Sequence, residues 1–258
     1  TEEERLLGVS LTGIMDNDMM AGKSAHLGNN IGATLNALKE QAIETNAVMA
    51  KQLGVPQSAA ITCVKPSGTV SQLVDSASGI HARHNPYYIR TVRGDNKDPI
   101  TQFLMSEGIP SEPDVMKPDS TTVFSFPMKS PSSAVCRTDM GAIEQLELWL
   151  QYQRYWCEHK PSVTITVKEH EWMQVGSWVY DHFDEVSGIS FLPFSEHTYK
   201  QAPYQDVDES TYHVLKEHMP KQVNWSLLQE FEKEDTTSGG RELACTADAC
   251  EVVDLNAA

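Results

Sequence analysis

Apolar residues Leu27, Ile31, Leu35, Leu38, Ala42, Met49 and Leu53 recur at three-, four- and seven-residue intervals, the spacing of one helix face. Ser24 can cap that helix, and Gly54 with Pro56 stops it. Upstream, Leu6-Leu7-Gly8-Val9-Ser10-Leu11 reads as a strand, and residues 59–64 form a second short strand-like run. That run leads into Lys65-Pro66-Ser67-Gly68-Thr69-Val70-Ser71, with a helical turn expected up to Asp75, a break at Gly79 and an extended stretch over 87–92.

The second half repeats the alternation. Residues 121–126 are expected to be a strand and 139–158 a helix with Ile143, Leu146, Leu150 and Cys157 on one face. The β-branched run 162–167 is a strand by composition. A helix then runs through Phe183, with Glu169 and Glu171 at its positive end and Trp172, Val175 and Val179 facing inward. An apolar run over 189–194 and a helix over 209–218 follow. Strands alternating with helices argue for an α/β architecture. After Phe231 the sequence Glu-Lys-Glu-Asp-Thr-Thr-Ser-Gly-Gly has nothing to bury and reads as a tether, so residues 1–231 are expected to be globular and 232–258 a flexible tail.

Composition narrows the function classes. Lys and Arg number 20 and Asp and Glu 36, a formal net charge of -16, which disfavours a polynucleotide-binding surface. A single nucleotide is still compatible, since backbone amides and one or two cations can hold its phosphates. No apolar run nears the roughly 20 residues that span a bilayer, and no leader pattern is present, so a cytoplasmic protein with mostly reduced thiols is expected. The sequence opens on Thr1 directly before a strand, and a longer polypeptide upstream is expected.

Two constellations carry candidate chemistry. In the segment Pro66, Ser67, Gly68, Thr69, Val70 and Ser71, small side chains allow an anion to approach the backbone, and Ser67, Thr69 and Ser71 can donate. The same spacing also suits a Ser/Thr-capped helix, and no Gly-Lys-Ser/Thr ends it, so it is not a Walker A motif. The second constellation is Cys245 and Cys250, five positions apart beyond the tether. A redox pair, half of a zinc site and two idle thiols all fit that spacing, but zinc wants four ligands and no second paired-ligand cluster lies nearby. Glu242, Asp248 and Glu251 favour the thiol over the thiolate, which suits a shuttle dithiol better than a permanently activated nucleophile. From Asp235 to Cys245 the tether has an r.m.s. extent of roughly 18 Å and a contour of roughly 35 Å, enough to swing between a surface and a cavity. Cys63, Cys136 and Cys157, in or beside regular elements, read as buried structural thiols. His81 and His84 lack a third ligand, so no metal site is expected, and Trp149, Trp156, Trp172 and Trp178 read as core.

Together these segments resemble a known family. Cys63-Val64-Lys65-Pro66-Ser67-Gly68-Thr69-Val70-Ser71 followed by Ser78-Gly79-Ile80-His81 resembles the substrate-phosphate loop of ribonucleotide reductases. Asn85-Pro86-Tyr87-Tyr88-Ile89-Arg90, Pro161 to Val167, Trp178 to Pro193, and the closing Glu242-Leu243-Ala244-Cys245-x4-Cys250 are similar to the adenosylcobalamin-dependent, triphosphate-reducing class. The resemblance implies the second half of a ten-stranded α/β barrel with a flexible C-terminal tail. It implies adenosylcobalamin as cofactor, a ribonucleoside triphosphate as substrate, and reduction of the ribose 2′ carbon by a protein thiyl radical. Cys245 and Cys250 would re-reduce an active-site disulfide and be recharged by thioredoxin or a similar dithiol. The radical cysteine, the barrel dithiol and the effector-binding region have no match in this sequence, so a missing N-terminal portion is implied and the chain alone is expected to be inactive. No paired tyrosines of the kind that relay a radical in the iron-dependent, two-subunit class occur around Thr164 and Ile165, which favours the cobalamin class. The alternatives are the large subunit of such a two-subunit reductase and a non-catalytic nucleotide-binding or redox-adaptor fragment.

Overall fold

A computed structural model describes residues 3–23, 31–68, 70–194 and 199–233, and in it the expected alternation becomes eight strands and seven helices. In chain order these are β1 (Leu6–Ser10), α1 (Ile31–Leu53), β2 (Ala60–Cys63), α2 (Val70–Leu73), β3 (Tyr87–Asp95), α3 (Pro99–Ser106), β4 (Ser111–Pro113) and β5 (Thr121–Lys129). There follow α4 (Ala142–Tyr155), β6 (Val163–Val167), α5 (Trp172–Asp181), β7 (Ile189–Pro193), β8 (Tyr204–Asp206), α6 (Glu209–Glu217) and α7 (Leu228–Phe231). Ser24, Leu27, Thr69 and the tail with Cys245 and Cys250 lie outside the described residues.

The chain divides into two compact units, Thr1–Pro86 with Ser130–Ser195, and Tyr87–Lys129 with Glu196–Ala258. The first unit holds two parallel strand pairs, each joined through a helix. β1 pairs with β2 from Leu6↔Ala60 to Ser10↔Cys63, with α1 between them in sequence. β6 pairs with β7 from Val163↔Ile189 to Val167↔Pro193, with α5 between them. Parallel strands need such crossovers, which is the physical content of the α/β expectation. β6 alternates buried and half-buried along Val163–Val167, so its β-branched residues pack on the core with Val163, Ile165 and Val167.

α4 is the centre of this core. Its sequence predicts Ile143, Leu146, Leu150 and Cys157 as one buried face. In the structure Leu146 and Leu150 are buried, Ile143 and Cys157 are half-buried, and Leu148, Trp149 and Tyr152 are buried as well. The helix is covered on more than one side, so its apolar stripe is wider than a single surface face. Trp149 Nε1 donates to Pro161 O at 3.2 Å, and Trp156 Nε1 donates to Cys63 O at 2.7 Å, which satisfies both buried indoles.

α1 departs from expectation. Gly32, Leu35 and Ala50 are buried, yet Leu38, Met49 and Leu53 of the predicted inner stripe are exposed. At Gly32 an added Cβ would stand 2.9 Å from the Tyr155 ring, so the close approach of α1 to α4 depends on that glycine. All five residues of β1 are exposed, Leu6, Leu7 and Val9 among them.

The inward face of α5 also shifts. Val175 and Trp178 are buried, whereas Trp172 is exposed, because a 3-10 turn over Glu169–Glu171 precedes the helix and rotates its start. Glu171 turns inward instead. Its Oε2 accepts from Lys168 N at 2.8 Å, capping the turn before its own helix, and its Oε1 accepts from Ala142 N at 2.9 Å, so the same carboxylate also caps the start of α4. Burial alone would raise its pKa, but those two backbone N–H bonds outweigh it and hold the carboxyl below its ordinary value. The stability it contributes is complete above the ordinary glutamate pKa of 4.5 and is lost as pH falls through the lower folded value. Glu171→Ala should cost about 1 kcal/mol near neutral pH, and chemical denaturation should show the gap from wild type closing in strong acid. A gap independent of pH would mean that the carboxylate charge is immaterial to the cap.

The second unit is an antiparallel sheet of order β4-β5-β3-β8. β3 and β5 pair over their full lengths, from Tyr87↔Lys129 to Asp95↔Thr121. Between them runs α3, capped by Asp98, whose side chain accepts from Ile100 N, with Pro99 in the first turn. Buried Phe103 of α3 meets Trp225 and Phe231 at ring-centroid distances of 5.4 and 5.8 Å. Sequence periodicity misses α3, β4 and β8, which are too short for a repeating pattern to stand out.

Candidate functional site

The segment after β2 is held by hydroxyl groups brought from two sides. Thr12 Oγ1 lies 2.8 Å from Ser67 Oγ and donates to Ala77 O at 3.0 Å. Gly79 N donates to both Thr12 Oγ1 and Ser67 Oγ at 3.0 Å, and Ser67 N donates to Ser78 Oγ at 3.2 Å. With Thr12 donating to Ala77 O, the Thr12–Ser67 contact and the 3.4 Å contact from Ser67 Oγ to Ser78 Oγ share the single Ser67 hydroxyl proton. Lys65 N, at the entry, donates to Ser10 Oγ at 3.0 Å. The segment is therefore tied to residues 10–12 below it and to residues 77–79 beside it.

This geometry assigns different parts to the sequence candidates. Ser71 is fully buried and donates its hydroxyl to Ser67 O, so it braces the segment from beneath. Ser67 is half-buried with its hydroxyl in the network, while Lys65, Pro66, Gly68 and Val70 are exposed. A Cβ built on Gly68 would meet nothing within 4 Å, so the space above the backbone there is open. Gly79 is the opposite case. Its φ is +52°, and an added Cβ would come within 3.0 Å of Lys65 O, so the crossing of the two segments admits glycine alone. α2 has four residues, too short for a helix dipole of consequence, so the open backbone around Gly68, and not the helix, is what an anion would meet.

His81 joins this segment to the strand behind it. Its Nδ1 is 3.0 Å from Ser78 O, and Thr164 N of β6 donates to its Nε2 at 3.0 Å. Those partners require the neutral ring protonated on Nδ1, and burial pushes its pKa below the ordinary histidine value. Among the described residues no group of three His, Cys, Asp or Glu could hold a metal ion.

Cys63 and Cys136 are buried and Cys157 is half-buried. Burial raises the Cys63 thiol and pushes Cys136 up to about 11 and Cys157 up to about 12, so all three are protonated near neutrality and suit structural roles. The residues that sequence reasoning missed are Thr12 and Asp16, whose Oδ2 accepts from Ala77 N at 2.7 Å. They carry no local signal, since the Thr12–Ser67 contact bridges 55 positions.

Comparison with known proteins follows the same outline. No protein-family model matches the chain. It is 30% identical over 200 residues to the adenosylcobalamin-dependent ribonucleoside-triphosphate reductase of Euglena gracilis, an alignment covering 77% of this chain and 27% of that protein. It is 26% identical over 280 residues to the protein of the same name from Lactobacillus helveticus, covering 97% of this chain and 37% of the relative. The chain thus spans about a third of the length of the curated relatives it matches. A crystal structure of a B-12 dependent (class II) ribonucleotide reductase superposes with a TM-score of 0.76 at 23% identity, over 92% of this chain and 36% of that one. The α/β fold expected from the sequence, a part of the reductase barrel, is the fold observed.

Proposed function

Because the chain belongs to the family of adenosylcobalamin-dependent ribonucleoside-triphosphate reductases, we propose that it is the C-terminal part of such an enzyme, contributing the substrate-phosphate loop and the thiols that recharge the active site. The observation that carries this reading is the match of relatives of that one name along up to 97% of the chain. The open space over Gly68, in a segment fixed by Thr12, Ser67, Ser78 and Gly79, supports the placement of the phosphates.

In this proposal the triphosphate lies over Pro66 to Ser71. Gly68 lets its oxygens approach the backbone, Lys65 supplies a cation beside them, and Ser71 braces the turn from below. The reaction replaces the ribose 2′-hydroxyl by hydrogen through a protein thiyl radical in the remainder of the enzyme. The hydroxyl leaves as water, and two active-site thiols become a disulfide. A thiolate of the Cys245/Cys250 pair, which lies outside the described residues, attacks that disulfide. The second tail thiol resolves the mixed disulfide, passing two electrons and two protons inward, and thioredoxin or a similar dithiol then reduces the tail.

Among the described residues no group of three His, Cys, Asp or Glu could hold a metal ion, and both ring nitrogens of His81 beside the segment are engaged, so none of the residues in the segment described above is assigned to the cobalamin. No step is assigned to the cofactor on this chain. A polypeptide uniting this sequence with the upstream part that its relatives possess should form deoxynucleotides from ribonucleoside triphosphates when adenosylcobalamin and a dithiol are supplied. Turnover that instead required a separate radical-generating subunit would replace this reading with that of a two-subunit reductase.

A further inference from the structure

An ion cluster built on a buried arginine lies next to the phosphate segment. Arg83 is 4% exposed, and its guanidinium makes a paired contact with Asp16, from Nε to Oδ1 at 2.8 Å and from Nη2 to Oδ2 at 2.9 Å. The same group donates from Nη1 to Asp75 Oδ1 at 3.1 Å and from Nη2 to Asp75 O at 2.6 Å. Asp16 Oδ2 also accepts from Ala77 N at 2.7 Å. Two backbone stretches, the turn around Asp16 and the end of the α2 turn at Asp75, thus meet on one guanidinium, and the loop at Ala77 joins them through Asp16.

Asp75 has φ +46°, the left-handed region that a non-glycine residue adopts at a cost. Arg83 holds it there through both its carboxylate and its carbonyl. The main chain of Arg83 is itself fixed, with its N donating to Val135 O at 2.8 Å and Arg137 N donating to its carbonyl at 2.9 Å. Asp16 is anchored in turn, its carbonyl accepting from Ser133 Oγ at 2.8 Å. The network runs from the well-packed segment 133–137 through Arg83 to the far end of the segment that begins at Ser67.

We infer that Arg83 is a positioning residue for nucleotide binding: through Asp75 and Asp16 it sets the conformation in which the segment around Gly68 receives the substrate phosphates. This rests on the phosphate reading above and extends it to a residue that touches no substrate. A guanidinium presents its donors in a rigid planar fork, whereas an ammonium is a compact donor that cannot reproduce a paired contact with Asp16 while also bonding twice to Asp75. A loosened segment would forfeit affinity for the phosphates and leave affinity for the nucleoside alone.

The test uses the full-length enzyme with Arg83→Lys and, separately, Asp75→Asn. Asp75 is 61% exposed, so its replacement leaves folding intact should the buried lysine compromise it. Arg83→Lys should raise KM for the nucleoside triphosphate about tenfold while kcat changes less than about threefold. Its dissociation constant for the triphosphate, but not for the unphosphorylated nucleoside, should rise in parallel. Asp75→Asn should shift the same quantities in the same direction by a smaller factor. Equal weakening of triphosphate and nucleoside, a fall in kcat without a rise in KM, or an unaltered triphosphate affinity in either folded variant would overturn the assignment. Should wild-type enzyme bind nucleoside and triphosphate equally well, the phosphate reading of the segment fails in the wild type alone, and the role of Arg83 fails with it.

Discussion

Replacing Cys245 or Cys250 by serine in the full-length enzyme should abolish turnover driven by thioredoxin and spare turnover driven by dithiothreitol. The two reductants separate because a small dithiol diffuses into the active site, whereas a protein reductant needs an intermediary thiol pair that reaches outward and inward by turns. A tether of the length found after Asp235 holds such a pair near its target at about millimolar effective concentration, an advantage that a thioredoxin acting directly would lack. Either single replacement should suffice, since exchange needs one thiol to attack and a second to resolve the mixed disulfide. In a single variant whose surviving tail cysteine is first converted to a mixed disulfide with an aromatic thiol, a thioredoxin keeping only its attacking cysteine should displace that aromatic thiol and stay bound through a mixed disulfide detectable by mass. Equal losses with both reductants would place the pair in structure or metal binding instead.

Gly68→Asp should weaken nucleoside triphosphate binding by about 3 kcal/mol, on the order of a hundredfold, the repulsion expected for a carboxylate about 5 Å from one phosphate charge at an effective dielectric of about 20. The structure makes this variant informative because a Cβ at Gly68 meets no atom within 4 Å, so the protein should fold as wild type and the effect should be confined to the ligand. Gly68→Asn, of the same shape without the charge, separates repulsion from bulk and should cost a small fraction of that loss. Isothermal titration at two salt concentrations checks the electrostatic origin, which screening should diminish. Affinity unaltered in Gly68→Asp would reduce residues 66–71 to the cap of a short helix.

Much of the first unit is legible from periodicity. β6 reads as a strand because its β-branched run alternates against the core, and α4 reads as a helix because Leu146 and Leu150 lie one turn apart on its buried side. Periodicity fails where neighbours set the outcome. Leu38, Met49 and Leu53 obey the helical spacing of α1 yet are exposed, since spacing tells which residues share a face and not whether anything covers it. Trp172 lost its inward place to Trp178 because the 3-10 turn over Glu169–Glu171 rotated the start of α5, and Glu171 went to the end of another helix 29 positions away.

The candidate site divides in the same manner. Residue order by itself determined the strand–helix alternation, the small-residue segment from Pro66 to Ser71 and the tail pair Cys245 and Cys250, all of which are local patterns. Only the tertiary structure decided that Ser71 is buried as a brace, that the Ser67 hydroxyl is turned to Thr12, and that Gly68 is the open point. The same holds for Arg83, whose partner Asp16 lies 67 positions away. The reason is physical: a hydroxyl or guanidinium is directed by whichever acceptor the fold brings within about 3 Å, and chain neighbours say nothing about a group that arrives from another strand.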